Sequence, residues 1–77
     1  MANKKATTQH GQKTRERILE ATIGLVCKKG FAGTSVREVC EEVGVAKTAI
    51  YWHFGSKSGL MAAVIETVTR RWMADFE

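Results

Sequence analysis

The chain has 77 residues and carries 12 lysines and arginines against 8 aspartates and glutamates, a formal net charge of +4. A chain of this length forms one small domain that buries only about 60% of the surface that its unfolded form exposes. The positive charge permits a nucleic-acid partner without requiring one. No apolar run reaches the roughly 18 residues of a membrane span, and the polar N-terminus does not resemble a secretion signal. The composition therefore predicts a cytoplasmic protein with no membrane partner.

The residues that usually carry catalysis or bind metals are few and poorly spaced. Cys27 and Cys40 lie in helical apolar patterns, where a free cysteine usually acts as a small buried hydrophobe. A zinc site built from them and His53 would have ligand intervals of 13 residues, unlike the short ligand pairs of zinc fingers. The chain has one Asp and two His residues, and no Gly-rich phosphate loop is present. We therefore expect neither an enzyme nor a bound metal or cofactor.

The N-terminal part of the chain divides into a polar segment and a first helix. Residues 1–11 are basic and aperiodic, which predicts a flexible arm, either a solvated tail or a segment that touches DNA phosphates or a minor groove. Helix one is predicted from near Thr14, whose hydroxyl can cap its first turn, to Gly30, and Phe31 is predicted to plug the core under the next loop. Spacings of three and four give this helix an apolar stripe, formed by Ile18, Ala21, Thr22 and Leu25.

A helix-turn-helix is predicted over about residues 35–54. Its first helix opens with the capping-box spacing of Ser35 and Glu38, in which a hydroxyl and a carboxylate each accept a backbone N–H. Gly44 can take the left-handed geometry that ends a helix, and Val45 supplies an apolar contact in the turn. Two short helices joined by a turn of this kind are typical of the motif.

Helix three, from about Lys47 to His53, is predicted to have one buried side. At 100° per residue, Ile50 and Phe54 lie within about 40° of each other and face the core. The opposite side carries aromatic, hydroxyl and basic groups and no carboxylate, so we expect it to contact a binding partner. For Trp52, which lies on that side, the alternative is that the indole fills the core.

A DNA major groove fits this exposed side of helix three. Thr48 can hydrogen-bond a base edge, Ala49 can approach a thymine methyl group, and Lys47 can reach guanine acceptors. Tyr51 and His53 suit the backbone oxygens beside the groove, although core filling is again the alternative for the tyrosine.

Three predicted helix starts carry one base each, at Arg37, Lys47 and Lys57, where unpaired backbone N–H groups also point. This combination suits phosphate. The alternative for Arg37 is an ion pair with Glu41, four residues further along the same helix. Helix four follows, with Ser56 as its cap.

The apolar pattern of helix four runs from Leu60 through Trp72 to Phe76 and meets no capping residue before the last residue. This predicts that residues 73–77 continue the helix towards a C-terminal domain of a longer protein.

The segment from Gln12 to Trp72 resembles the N-terminal domain of the tetracycline-repressor (TetR) family of bacterial transcriptional regulators. The resemblance rests on the stretches TRERILEATIGLVCKKGFAGTSV, VREVCEEVGVAKTAIYWHF and SKSGL. It implies an all-α fold, with a three-helix DNA-binding head over residues 12–72 and the start of a fourth, linking helix. It also implies a larger C-terminal domain that forms a homodimer and binds a small-molecule effector. Binding of the effector causes the protein to release the operator.

The resemblance implies DNA-binding roles for nine residues, which are Ser35, Arg37, Lys47, Thr48, Ala49, Tyr51, Trp52, His53 and Lys57. Two positions depart from the family pattern. Ala46 stands where a Ser or Thr cap is usual, and Gly59 stands where a helix-favouring or acidic residue is usual, at a cost of roughly 1 kcal/mol against alanine.

The sequence thus predicts a dimeric regulator that binds double-stranded DNA at a pseudo-palindromic operator, and repression is the family default. Two alternatives stay open. One is a non-specific or architectural DNA-binding module, and the other is a helical protein-interaction domain that uses the Trp52 and Tyr51 surface. Binding to DNA should weaken steeply with salt, whereas binding of an apolar protein partner should not.

Overall fold

Four helices form the protein in the computed structural model, which describes residues 2–75 and the side chains of residues 11–74. They are α1 (Ala2–Lys29), α2 (Val36–Val43), α3 (Lys47–Phe54) and α4 (Lys57–Asp75). Helices α1 and α3 each pack against both α2 and α4. The predicted all-α class, with a helix-turn-helix and a fourth helix, is confirmed. Neither α1 nor α4, as far as residues 2–75 show, has an apolar stretch sufficient to cross a membrane.

Helix α1 begins earlier than the sequence predicts. It starts at Ala2, so the segment 2–11, predicted to be aperiodic, is helical, and Thr14 lies inside the helix rather than at its cap. The segment contains no proline, and its alanine, lysine and glutamine residues favour helix. Gly11 costs only about 1 kcal/mol in a helix interior, which is not enough to end it. Met1 lies outside the described residues, and the suggested role of this segment on DNA stays a prediction.

The core lies where all four helices meet. Its buried hydrophobic side chains are Ile18, Leu19, Val36, Val39, Ile50, Leu60 and Val64. Burying one such side chain fully stabilises the fold by roughly 1.5–3 kcal/mol relative to leaving it exposed. Two threonines, Thr22 and Thr34, are also buried, and each hydroxyl donates to the carbonyl oxygen four residues back, so neither polar group is left without a partner.

Two predicted core residues lie at the surface instead. Phe31 is 44% exposed, because the space under its loop is taken by Thr34, whose side chain is fully buried and donates to the carbonyl oxygen of Gly30 at 2.8 Å. Cys27 is exposed because it lies nine residues after Ile18, which places it on the opposite side of α1 from that buried residue. Cys40 is half-buried against the core.

The local signals around the turn form as predicted. The Ser35 hydroxyl accepts the N–H of Glu38 at 3.1 Å, and a carboxylate oxygen of Glu38 accepts the N–H of Ser35 at 3.1 Å. Gly44 ends α2 with φ 82°, in the left-handed region, and donates its N–H to the carbonyl of Cys40 at 2.8 Å. Val45 packs against the core. The turn is therefore tied to both α2 and the interior.

The start of α4 is pressed against the end of α3. The hydroxyl of Ser56 accepts the N–H of Gly59 at 3.0 Å, which confirms the predicted cap. A side chain at Gly59 would collide with the carbonyl oxygen of Phe54, since that oxygen occupies the place where a Cβ atom would lie. The glycine therefore allows the close approach that fixes α4 beneath α3.

Candidate nucleic-acid interface

Helix α3 has the two sides that its periodicity predicts. Ile50 is fully buried and Phe54 is half-buried against the core. On the other side Trp52 is 81% exposed and Tyr51 is 41% exposed. Neither aromatic side chain fills the core, so the alternative considered for them is wrong. The two exposed rings are neighbours on α3, so this side of the helix presents an aromatic patch that is available to a partner.

The outward surface of α3, called here the α3 surface, consists of Lys47, Thr48, Ala49, Tyr51, Trp52 and His53. Lys47 and Thr48 are exposed, whereas Ala49 and His53 are half-buried. The ring of Trp52 meets that of His53 nearly at right angles, with 4.9 Å between the ring centroids. Such edge-to-face contacts contribute roughly 0.5–1.5 kcal/mol, so the histidine favours this orientation of the indole.

The three basic residues predicted at helix starts all lie in the first turn of their helices. Lys47 and Lys57 are the first residues of α3 and α4, and Arg37 is the second residue of α2. Among the described side chains neither lysine makes an ion pair. The Nε atom of Arg37 lies 3.5 Å from the Oε2 atom of Glu41, so the ion pair predicted as the alternative is present. An exposed pair at this spacing contributes only about 0.3–0.5 kcal/mol, so a phosphate could displace it.

Ser35, the remaining predicted contact, is half-buried and its hydroxyl already belongs to the α2 capping box. The same Glu38 carboxylate also pairs with Lys29 of α1. The hydrogen bond from Lys29 and that from the backbone of Ser35 hold the pKa of Glu38 below its ordinary value. The cap is therefore ionised at neutral pH, and the Ser35 hydroxyl is engaged within the start of α2.

Two arginines of α1 that the sequence did not single out contact the helix-turn-helix. The guanidinium of Arg15 lies over the ring of Phe54, and Arg17 donates a hydrogen bond to the carbonyl oxygen of Val43. In the sequence they belong only to a cluster of five lysines and arginines within the first 17 residues. These contacts join residues far apart along the chain, so no local pattern could have revealed them.

Other features of the described residues lie away from the α3 surface. A groove of about 480 Å³ lies along the contact between α1 and α4, and its walls include Glu20 and Arg71, which form an ion pair. The hydrogen bond from Arg71 lowers the pKa of Glu20. Within residues 11–74, no three His, Cys, Asp or Glu side chains are grouped so that they could hold a metal ion. The zinc site considered for Cys27, Cys40 and His53 is not formed.

Known proteins match this chain over the helices just described. Residues 18–64 match the family of bacterial regulatory proteins known as the tetR family. The transcriptional regulator AcrR of Shigella flexneri is 41% identical over 60 residues, which cover 78% of this chain and 28% of AcrR. The regulator TtgR of Pseudomonas putida is 37% identical over 62 residues, covering 80% of this chain and 30% of TtgR. The uncharacterised regulator YerO of Bacillus subtilis is 44% identical over 52 residues, covering 68% of this chain and 18% of YerO. The matched part of the chain thus spans less than a third of each of these relatives.

Proposed function

We propose that the chain, which belongs to the tetR family of bacterial regulatory proteins, is a DNA-binding transcriptional regulator rather than an enzyme. It recognises a specific operator sequence through the α3 surface. The observation that carries this proposal is the combination of exposed aromatic, hydroxyl and basic groups on α3 with no carboxylate among them. An α-helix fits the major groove of B-DNA, where each base pair presents a distinct set of donors and acceptors.

Residues of the N-terminal turn of α3 contact the edges of the DNA bases. Lys47 and Thr48 are exposed there, and Ala49 lies beside them. An ammonium group pairs with guanine acceptors, a hydroxyl can bond either donors or acceptors, and a methyl group contacts the thymine methyl. The recognition helix of a helix-turn-helix reads base edges mainly with its N-terminal residues, and this agrees with the placement.

Phosphate contacts surround this turn and set its position on the duplex. Tyr51 and His53 lie further along α3, with Trp52 exposed between them. Arg37 and Lys57 lie in the first turns of α2 and α4, where free backbone N–H groups add partial positive charge. Ser35 precedes α2, and because its N–H and hydroxyl are both engaged in the capping box, it contributes by fixing the start of that helix. Such contacts position a protein without reading sequence.

The full-length protein would act as a homodimer on a pseudo-palindromic operator, with half-sites about 34–36 Å apart on one face of the duplex, or a multiple of that distance. A small-molecule effector would bind outside these 77 residues, in a C-terminal domain, and release the operator, which makes the regulator a repressor. The chain alone should bind DNA as a weak monomer, with a Kd of roughly 10⁻⁴–10⁻⁶ M at physiological salt. This activity belongs in the bacterial cytoplasm.

Selection from random duplexes by a dimeric form of the chain tests the proposal. We expect recovery of a palindrome. Binding without any recovered consensus, but with steep salt dependence, would replace the proposal with a non-specific or architectural DNA-binding role. Absence of salt-dependent DNA binding would favour a protein-interaction domain instead.

Two substitutions test the assigned contacts on the recovered duplex. Lys57→Ala should weaken binding to all sequences and reduce the slope of log K against log salt by about 0.9, since one phosphate contact is lost. Tyr51→Ala should also weaken binding. Lys28→Ala removes the same charge at the far end of α1 and should leave the slope unchanged. Unchanged binding in the first two variants would contradict the assignment.

A further inference from the structure

Two arginines of α1 reach the ends of the two helices that form the helix-turn-helix. The Cζ atom of Arg15 lies 5.0 Å from the centroid of the Phe54 ring, and Phe54 is the last residue of α3. Atom Nη2 of Arg17 donates to the carbonyl oxygen of Val43, the last residue of α2, at 3.2 Å. The turn and the whole of α3 therefore lie between two contacts made by a single helix.

Helix α3 depends on its neighbours for its orientation. It has eight residues, and its N-cap Ala46 makes no side-chain hydrogen bond. Ile50 is the buried side chain that anchors it to the core. Helices of this length are marginal when isolated in water, so the orientation of α3 depends on Ile50 and on the partly buried residues at its two ends, Val45 and Phe54. Contacts that hold the two ends of the segment therefore contribute to where the α3 surface points.

Both contacts use properties that arginine has and that a simple charge lacks. The flat guanidinium of Arg15 covers the ring of Phe54, which keeps that side chain against the core. The guanidinium of Arg17 donates to one of the carbonyl groups that the end of α2 leaves without a partner inside the helix. In both cases the partner is a group of the helix-turn-helix.

We propose that Arg15 and Arg17 are positioning residues that hold the α3 surface in the orientation needed to enter a major groove. They act through Phe54 and Val43, not through their own contacts with DNA. The role of this orientation in DNA recognition rests on the proposed operator binding. The two arginine contacts are present in the free protein and can be tested without DNA. The competing explanation is that two exposed arginines near the N-terminal half of α1 are phosphate contacts.

Hydrogen exchange of the free 77-residue chain tests the first part of the proposal. In Arg15→Gln and Arg17→Gln, amide protection in α3 should fall about two- to fivefold, and more than protection in α4. Lys28→Gln is the matched control, since it removes the same charge from the same helix about 17–20 Å further along. An equal loss of protection in α3 and α4, or no loss, would overturn the proposal.

A double-substitution cycle identifies the partner of Arg15. Phe54→Leu keeps an apolar side chain and every charge on α1 while it removes the ring. In that background Arg15→Gln should produce no further fall in the protection of α3, because the two residues act as one contact. A fall as large as in the wild-type background would show that Phe54 does not transmit the effect.

Salt titrations on a random-sequence duplex separate positioning from phosphate contact. The slope of log K against log salt should be the same in both glutamine variants as in the wild type. A slope smaller by about 0.9 in either variant would identify a direct phosphate contact and overturn the proposal for that arginine.

The final measurement is the ratio of affinities for the selected duplex and the random duplex. This ratio should fall about two- to fivefold in Arg15→Gln and Arg17→Gln, since a misdirected α3 loses base contacts first. An unchanged ratio would overturn the positioning role. If the wild type selects no preferred duplex, operator binding fails as a function, and the exchange and salt measurements still decide the role of the arginines.

Discussion

At Gly59 the first turn of α4 lies directly against the last carbonyl group of α3. Helix propensity alone predicts that Gly59→Ala stabilises the protein by about 1 kcal/mol. The carbonyl oxygen of Phe54 occupies the space that the new methyl group needs, and backbone cannot move aside as a flexible side chain can. We therefore expect the substitution to lower the free energy of unfolding by about 1–3 kcal/mol, measured by urea denaturation.

Ser58→Ala is the matched control for this prediction. Ser58 is exposed in the same turn, so the substitution should be neutral or slightly stabilising. A stabilised Gly59→Ala variant would mean that α4 does not approach α3 as closely as the structure shows.

Ala46 offers the opposite case, a residue that leaves a helix start uncapped. Its backbone has φ −77° and ψ 155°, the extended geometry of an N-cap, yet no side-chain oxygen accepts an N–H of the first turn. Ala46→Thr should supply that oxygen and raise the free energy of unfolding by about 1 kcal/mol. Ala46→Val has nearly the same shape without the hydroxyl, so it should give no such gain in the same urea titration. Equal effects of the two variants would show that α3 gains nothing from a cap.

Single residues were predictable where their role depends on near neighbours in sequence. The capping role of Ser35 and the burial of Ile50 follow from spacings of three or four residues and agree with the structure. The purpose of Gly59 was not predictable, because it depends on a contact with another helix. Phe31 was predicted incorrectly for a related reason, since apolar character alone does not tell which side chain of a loop fills the space beneath it.

At the scale of the element, the start of α2 combines a capping box with an ion pair to α1. Both involve Glu38, whose pKa is lowered chiefly by the hydrogen bond from Lys29 and then by that from the backbone of Ser35. A group whose pKa is lower in the folded state contributes stability above its unfolded pKa. That contribution should be present at neutral pH and lost as the pH falls below the ordinary glutamate value of 4.5 and through the lowered folded pKa.

Glu38→Gln tests this account of the α2 start. Glutamine can still accept the Ser35 N–H, but it carries no charge for Lys29. The variant should be less stable than the wild type at pH 7, and the difference should shrink as the pH falls below 4.5 and through the lowered pKa of Glu38. Urea titrations across this range provide the measurement. Glu42→Gln, an exposed position of the same helix, should give a curve parallel to that of the wild type; a constant difference for Glu38→Gln would contradict the ionised cap.

Element boundaries were predictable wherever the sequence contains a stop signal. Helix α1 ends one residue before Gly30 and α2 ends one residue before Gly44, both as predicted. The start of α1 was missed because the residues before Thr14 favour helix without forming an apolar stripe, and periodicity reports only the part of a helix that packs. The candidate interface was predictable as a surface, since one helical wheel separates Trp52 from Ile50. The arginine contacts that hold it were not, because they cross between helices.

At the scale of the whole molecule, the core covers only the first half of α4. Leu60 and Val64 are buried, whereas the apolar residues that continue the pattern are exposed, namely Ile65, Val68, Trp72 and Met73. The apolar pattern of the sequence continues without a break, so it predicts that this face of α4 is apolar. It does not predict the point along α4 beyond which the other described residues no longer cover that face. Phe76, the last residue of the predicted pattern, lies outside the described residues.

Two identical substitutions one helical turn apart measure where the core ends. Val64 is 2% exposed and Val68 is 44% exposed, so Val64→Ala should cost about 2 kcal/mol of unfolding free energy and Val68→Ala less than about 0.5 kcal/mol. With a urea m-value near 1 kcal/mol/M, the first variant should lower the midpoint by about 2 M. Comparable losses would mean that Val68 is covered in solution. Because association makes stability depend on protein concentration, repeating the titrations at two concentrations would then show whether copies of the chain cover each other through α4.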